Sequence, residues 1–184
     1  DYARPRVCLL FKIRDEENQA SALSLLRTLF PLPHKDYIFT MEEDSIVLLY
    51  EGEGGETEDD YAALTSQVVD TLSSELMLDV RAGMGLEVDT LKDLAKSYRE
   101  AVLSVTIGQI FEPETRVNRY DRLGLGRLIY QLPPTLCQLF LDEVFPTGAY
   151  EELDSEILLT IDKFFENNLN GSETSRQLYV HRNT

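Results

Sequence analysis

The sequence predicts an α+β protein, with a sheet and its helices over residues 1–122 and an all-α region over residues 123–184. Three observations point there. Short β-branched and aromatic runs alternate, as far as Arg122, with runs whose apolar residues recur every three or four positions. Beyond Arg122 only the second pattern continues, broken by Pro133, Pro134, Pro146 and Gly148. A content of 43% hydrophobic and 27% charged residues in 184 positions is a globular composition, long enough for one large domain or two small ones.

Val7 to Ile13 (VCLLFKI) is short, apolar and free of polar alternation, and reads as a buried strand. In the helix expected over Gln19 to Phe30, Ala22, Leu23, Leu26 and Phe30 share a face, and Pro31 and Pro33 stop the run. Tyr37 to Thr40 and Ser45 to Tyr50 flank Met41 to Asp44, a spacing that suits an antiparallel hairpin. Glu51 to Asp60 carries six acids and three glycines, a composition expected to stay solvated. Helical periodicity resumes over Tyr61 to Leu76. Asp79 to Leu86 reads as a strand in which Gly83 and Gly85 mark close backbone approach or a bulge. Asp89 is placed to cap the next helix, whose stripe runs through Leu91, Leu94, Tyr98, Ala101 and Val102, and Val117 to Tyr120 supplies a last strand. Three helices follow, over Leu123 to Gln131, Thr135 to Val144 and Ser155 to Asn167, the third capped by Asp154. Ser172 is placed to cap a short helix through Leu178, and a turn follows from Tyr179 to Thr184.

Charge and cysteine content narrow the function. Acids outnumber bases 33 to 17, for a formal charge of -16. Residues 1–122 hold 13 bases and 24 acids, and residues 123–184 hold 4 and 9. Only the stretch from Asn168 onward is slightly basic, through Arg176 and Arg182 against Glu173. No apolar run reaches the roughly 18 residues of a membrane span, and the first residues lack a signal-peptide layout. Cys8 and Cys137 read as reduced core residues, which points to a cytoplasmic setting. Gly52, Gly54 and Gly55 precede no Gly-Lys-Ser/Thr, their acidic neighbours repel phosphate, and calcium-loop spacing is not met. No nucleophile, base and orienter are legible together.

The most informative stretch is GSETSRQLYVHRNT. A helix ending in Asn-Asn-Leu-Asn-Gly, a short second helix, inward Leu178 and Val180, and a polar His181-Arg182-Asn183-Thr184 opening a third follow the layout of a helix-turn-helix. In that layout two helices brace another whose N-terminus meets phosphates and base edges. Arg176, His181, Arg182, Asn183 and Thr184 are therefore the candidate DNA-contacting residues.

SETSRQLYVHRNT closely resembles the C-terminal helix-turn-helix of the CdaR/PucR bacterial transcription regulators, which carries "sETARxLxVHRNTLxYRL". The match runs through Glu173, Thr174, Arg176, Leu178, Val180, His181, Arg182, Asn183 and Thr184, departs at Ser175, and stops where the family's Leu-x-Tyr-Arg-Leu begins, so most of the groove-reading helix is expected to be absent. Ala82 to Val105 (AGMGLEVDTLKDLAKSYREAVLSV) resembles the family's "GIGxxxxxLxxLxxSYxEAxxAL", and Arg119 to Leu125 its "YDDLGL". The resemblance implies a degenerate GGDEF-like central domain related to diguanylate cyclases, an antiparallel-rich sheet covered by helices on one side. It also implies DNA as the partner of the full-length protein, a small-molecule effector bound by a domain not present here, and a homodimer, for which Leu123 to Val144 offers apolar helical surface. The acidic bulk leaves DNA binding by this fragment weak or nil.

Cyclase chemistry needs metal-binding carboxylates on the first strand and a glycine hairpin that lets nucleotide approach. Here the hairpin is Met41-Glu42-Glu43-Asp44-Ser45, and the strand carries Leu10-Phe11-Lys12-Ile13. The expectation is therefore a non-enzyme with no cofactor and no resident metal. The alternative is a nucleotide-binding or residual cyclase-type domain in which Glu43 and Asp44 keep a metal role.

Overall fold

The computed structural model describes residues 4–13, 18–145, 149 and 153–180. They form two compact units, Asp1–Gln131 and Leu132–Thr184.

In the first unit, β1 (Arg6–Ile13), α1 (Gln19–Leu29), β2 (Tyr37–Glu42), β3 (Ser45–Glu51), α2 (Glu58–Leu76), β4 (Val80–Met84), α3 (Leu94–Phe111), β5 (Val117–Arg119) and α4 (Gly124–Tyr130) follow in order. The strands make one sheet ordered β2-β3-β1-β4-β5, antiparallel throughout except for the parallel β4–β5 pair. This is the antiparallel-rich α+β fold expected.

The helices, however, cover both faces and not one. Val7, Leu9, Phe11 and Ile13 of β1 pack with Ala22 and Leu26 of α1 and with Val68, Val69 and Leu72 of α2. Cys8 and Leu10 point the other way, to Ala101 and Val105 of α3. Successive side chains of a strand face opposite sides of the sheet. A central strand covered on both sides is apolar on both, which explains the run VCLLF; Lys12 follows at the sheet's end, where it is only partly buried. Burial pushes the Cys8 thiol up to about 12, so it is an inert core residue. Cys137 is only partly buried, so it is not the core residue the composition suggested, although both thiols are free.

The acidic stretch 51–60 is more ordered than its composition implies. Glu51 is buried at the end of β3, where Arg4 Nη1 donates to it at 2.6 Å and Arg6 at 2.8 and 3.1 Å. Glu56 accepts the backbone N–H groups of Glu53 (2.7 Å) and Gly54 (2.8 Å). Thr57 and Asp60 form a reciprocal capping box, so α2 starts at Glu58, three residues before the expected Tyr61. Glu58, Asp59 and Asp60 then lie in the first turn, where the helix dipole favours negative charge.

Helix α3 lies nearly on the backbone of β4. A Cβ at Gly83 would stand 2.1 Å from the Ala101 carbonyl oxygen, and one at Gly85 2.0 Å from that of Ser97. Both positions are close approaches, as expected. The expected cap at Asp89 is not used; a 3-10 turn, Leu91–Asp93, leads into α3, and Thr90 donates to Asp93 at 2.7 Å. Helix α4 rests on α3 through Gly126, whose Cβ position lies 3.0 Å from Ile107 and Phe111 atoms.

The second unit contains α5 (Pro134–Val144), α6 (Ser155–Glu166) and α7 (Gly171–Gln177). Pro134 opens α5, where its missing N–H costs nothing. Asp154 caps α6 as expected, accepting from Glu156 (3.0 Å) and Ile157 (2.8 Å). Among its described residues only Thr174 is buried. No described helix is long and apolar enough to cross a membrane.

Candidate functional site

The hairpin that the sequence marks for cyclase chemistry is tied off by a lysine. Strands β2 and β3 meet at Glu42 and Ser45 across Glu43 and Asp44, with an irregularity between Thr40 and Glu42. Lys12, paired with Ser45 on the neighbouring strand, reaches over the turn and donates to Asp44 Oδ1 at 2.7 Å and Glu42 Oε2 at 2.9 Å. The Ile13 N–H donates to the Asp44 carbonyl at 2.8 Å, and Gln19 Nε2 to that of Glu42 at 2.9 Å. Partial burial alone would lower the Lys12 ammonium, but its hydrogen bonds to Asp44 and Glu42 outweigh this and raise it.

That arrangement decides the metal question. Asp44, one of the two acids that the cyclase reading would assign to a cation, already accepts from a fixed ammonium. Glu43 projects from the turn, exposed. A divalent ion at the turn would meet Lys12 at hydrogen-bond range of both Glu42 and Asp44, so these described carboxylates do not fit a metal. Among the described residues no three His, Cys, Asp or Glu side chains are grouped to hold one.

The glycine-rich motif is a clasp. Ser97 Oγ accepts the Cys8 N–H at 3.0 Å and donates to the Leu86 carbonyl at 2.7 Å. Glu100 Oε2 accepts the Leu86 N–H at 3.1 Å, and Ser104 Oγ donates to the Met84 carbonyl at 3.0 Å. Ser97, Glu100 and Ser104 thus satisfy backbone groups at and beyond the end of β4, while Gly83 and Gly85 let α3 sit against it. At the motif's exit, Arg119 grips Asp121 through two bonds (3.0 and 2.7 Å) and also holds Asp59 of α2. Arg127 lies 4.9 Å over the Tyr120 ring.

The tail elements are built by two matching stops. Asn168 and Leu169 have positive φ, and the Leu169 N–H returns to the Phe164 carbonyl at 2.8 Å, the 6→1 bond of a Schellman motif ending α6. Asn170 then caps α7, accepting from Ser172 (3.2 Å) and Glu173 (3.3 Å), so the cap is Asn170 and not Ser172. Asn167 and Gln177 exchange amide hydrogen bonds (3.1 and 3.2 Å), and buried Thr174 donates to the Asn170 carbonyl at 3.0 Å. Tyr179 takes φ 57, and the Val180 N–H returns to Ser175 at 3.0 Å, which ends α7 in the same way. Val180 is exposed, not turned inward. Of the candidate DNA-contacting residues, Arg176 is exposed on α7 and paired with Glu173. His181, Arg182, Asn183 and Thr184 lie outside the described residues. The sequence places Lys12 on the first strand. Its bond to Glu42 could not be found, because that contact crosses 30 positions.

A five-stranded sheet carrying this hairpin, with Gly83 of β4 and Gly85 just beyond it under α3, defines a GGDEF-like sheet domain. The chain belongs to the GGDEF-like domain family, whose pattern matches residues 1–107. A comparison with curated proteins finds no match. Among solved structures, the chain is similar over its full length to 68% of a regulator of polyketide synthase expression from Bifidobacterium adolescentis, with a TM-score of 0.51 at 15% identity.

Proposed function

We propose that the chain is the non-catalytic regulatory segment of a CdaR/PucR-type transcription regulator working in the cytoplasm. Its GGDEF-like unit relays or dimerises between an effector-binding domain outside these residues and a DNA-reading tail. The observation that carries the reading is the pair of helices α6 and α7, each stopped by a left-handed residue, leading at Tyr179 into Val180-His181-Arg182-Asn183-Thr184. A left-handed stop followed by polar, cationic sequence is compatible with groove reading. Two further observations support it: Lys12 neutralises the hairpin that catalysis would need, and the similar solved chain is itself described as a regulator of expression. In this reading Arg176 and Arg182 contact phosphate, while His181, Asn183 and Thr184 approach base edges. The DNA-bound form is a homodimer.

The test is a chain extended through the Leu-x-Tyr-Arg-Leu helix and mixed with DNA from its own promoter region at low salt. Binding is expected, and Arg182→Ala and Asn183→Ala should each weaken it about tenfold or more. Absence of a shift, or indifference to both substitutions, overturns the assignment.

A further inference from the structure

A cavity of about 390 Å³ lies between the end of α1 and the start of β2. Small-molecule sites span roughly 300–1,000 Å³. Local sequence builds it. Pro31 and Pro33 stop α1, and the N–H groups of Lys35 and Asp36 both return to the Leu32 carbonyl at 2.9 Å. That tight turn brings Asp36 back beside the end of the helix. Phe30, Pro31, Pro33, Tyr37 and Ile38 give the cavity apolar walls, and Arg27 and Asp36 give it two opposite charges.

Neither charge is fully engaged. Asp36 is only 7% exposed, yet among the described residues its side chain takes one hydrogen bond, from the Glu51 N–H to Oδ1 at 3.2 Å. An ionised carboxylate can accept about four, so Oδ2 still calls for a donor. Burial pushes the Asp36 carboxyl above its usual 3.8, against the pull of that N–H and of the Lys35 charge. Lys35 is committed elsewhere: it donates to Glu53 at 3.4 Å and lies 5.9 Å over the Tyr50 ring. Arg27 stands exposed in the last turn of α1, and no carboxylate of the described residues pairs with it. A buried carboxylate short of donors is costly, and such groups are normally satisfied by a partner.

We propose that this cavity binds a zwitterion of the amino-acid class, its ammonium on Asp36, its carboxylate on Arg27 and an apolar side chain against the rings and prolines. The site belongs to the GGDEF-like unit. It is separate from the effector domain placed outside these residues, and it stands whether or not the chain reads DNA. Other ligand chemistries match it less well. A divalent cation finds a single carboxylate here. A phosphate finds one arginine and is opposed by Asp36 and by the chain's charge of -16. A plain amine satisfies Asp36 but lies beside Arg27. The two charges sum to zero, and a molecule carrying both signs meets each with its opposite. An ammonium supplies the donor that Oδ2 lacks, and the guanidinium fork takes a carboxylate in bidentate fashion.

Calorimetry and NMR of the 184-residue chain test this without DNA. The probes are L-phenylalanine and L-leucine, with phenethylamine and 3-phenylpropionate each lacking one of the two charges. At least one amino acid should bind with a dissociation constant at or below about 1 mM and shift the signals of Phe30, Tyr37 and Ile38. Both one-charge compounds should bind at least about tenfold more weakly. Asp36→Asn keeps an oxygen for the Glu51 N–H while removing the charge, and Arg27→Gln alters an exposed position. Each should weaken binding about tenfold or more. Glu75→Gln, exposed on α2, changes the net charge as Asp36→Asn does and should leave binding unchanged. Raising NaCl from about 0.02 to about 0.5 M should alter it less than about twofold, because a neutral ligand is not drawn by net charge. Four outcomes overturn the site: no binding of either amino acid up to about 10 mM, phenethylamine binding as tightly as L-phenylalanine, indifference to both substitutions, or a steep fall with salt. Should Asp36→Asn disturb the circular dichroism spectrum, Arg27→Gln and the one-charge compounds decide between these results.

Discussion

In the sheet unit, β1 is buried on both faces, the carboxylate of Glu51 is held by two arginines, and the glycines of β4 admit α3 to backbone contact. In the helical unit, Thr174 is the one buried residue among those described, and the order comes from caps, Schellman stops and an Asn167–Gln177 amide pair. One region is therefore held by packing between distant segments, the other by local hydrogen bonds. Local bonds set the shape of a helical pair but contribute little net stability, because water competes for each of them. Packing that excludes water is what a free-standing core requires.

Substitutions that strike one kind of support and spare the other test this contrast. The largest effect is expected at Gly85, where a methyl group would stand 2.0 Å from the Ser97 carbonyl oxygen. Gly85→Ala should lower the unfolding free energy of the sheet unit by about 3 kcal/mol in urea titration. Leu159→Ala on exposed α6 should change stability by less than about 0.5 kcal/mol. Equal effects would show that α3 does not sit as closely on β4 as described.

Glu51→Gln should cost about 2 kcal/mol at pH 7, because Arg4 and Arg6 lose a charged acceptor. The sign with pH is fixed. Partial burial alone would raise the Glu51 carboxyl, but the arginine hydrogen bonds outweigh it and hold the carboxyl below its usual 4.5. The stabilisation is complete above that value and disappears as pH falls through the depressed one, so wild type and Glu51→Gln should converge in acid. A gap that persists at low pH counts against the ion pair as its source.

In the helical unit, Asn170→Ala removes the cap of α7 and should cost about 1 kcal/mol of local stability, seen as faster amide exchange at Ser172 and Glu173 with the sheet unit unaffected. A smaller change than at Asn170 is expected for Lys12→Ala. The side chains of its partners Glu42 and Asp44 are 64% and 47% exposed, so breaking both bonds should cost less than about 1 kcal/mol in thermal unfolding. Calorimetry of the wild type sharpens the functional reading: it should remain silent with GTP and magnesium, and heat of binding would revive a nucleotide role for the hairpin.

Much of the fold was legible along the chain. The run VCLLFKI reads as a buried strand, Gly83 and Gly85 as close approaches or a bulge, and Asp154 before a periodic run as a helix cap. What escaped were features that depend on a partner far away in sequence. The acids of 51–60 look unpackable until Arg4, Arg6 and the N-terminus of α2 supply donors. Asp89 and Ser172 look as good as caps as Asn170 does, because all are short polar residues before a helix; only the backbone angles choose among them. For the candidate site the same limit applied. The missing hairpin glycines were visible, while the closing of that hairpin by Lys12 was not.

By itself, then, the sequence determined which segments are strands and which are helices, because those depend on apolar spacing within a dozen residues. It also determined where the glycine clasp and the polar tail fall. Only the tertiary structure decided that α3 crosses to the second face of the sheet, that Lys12 occupies the hairpin, and that α5 and α6 keep their apolar stripes exposed. Each of those outcomes turns on which surfaces meet, and a meeting between surfaces carries no periodicity for a single chain to display.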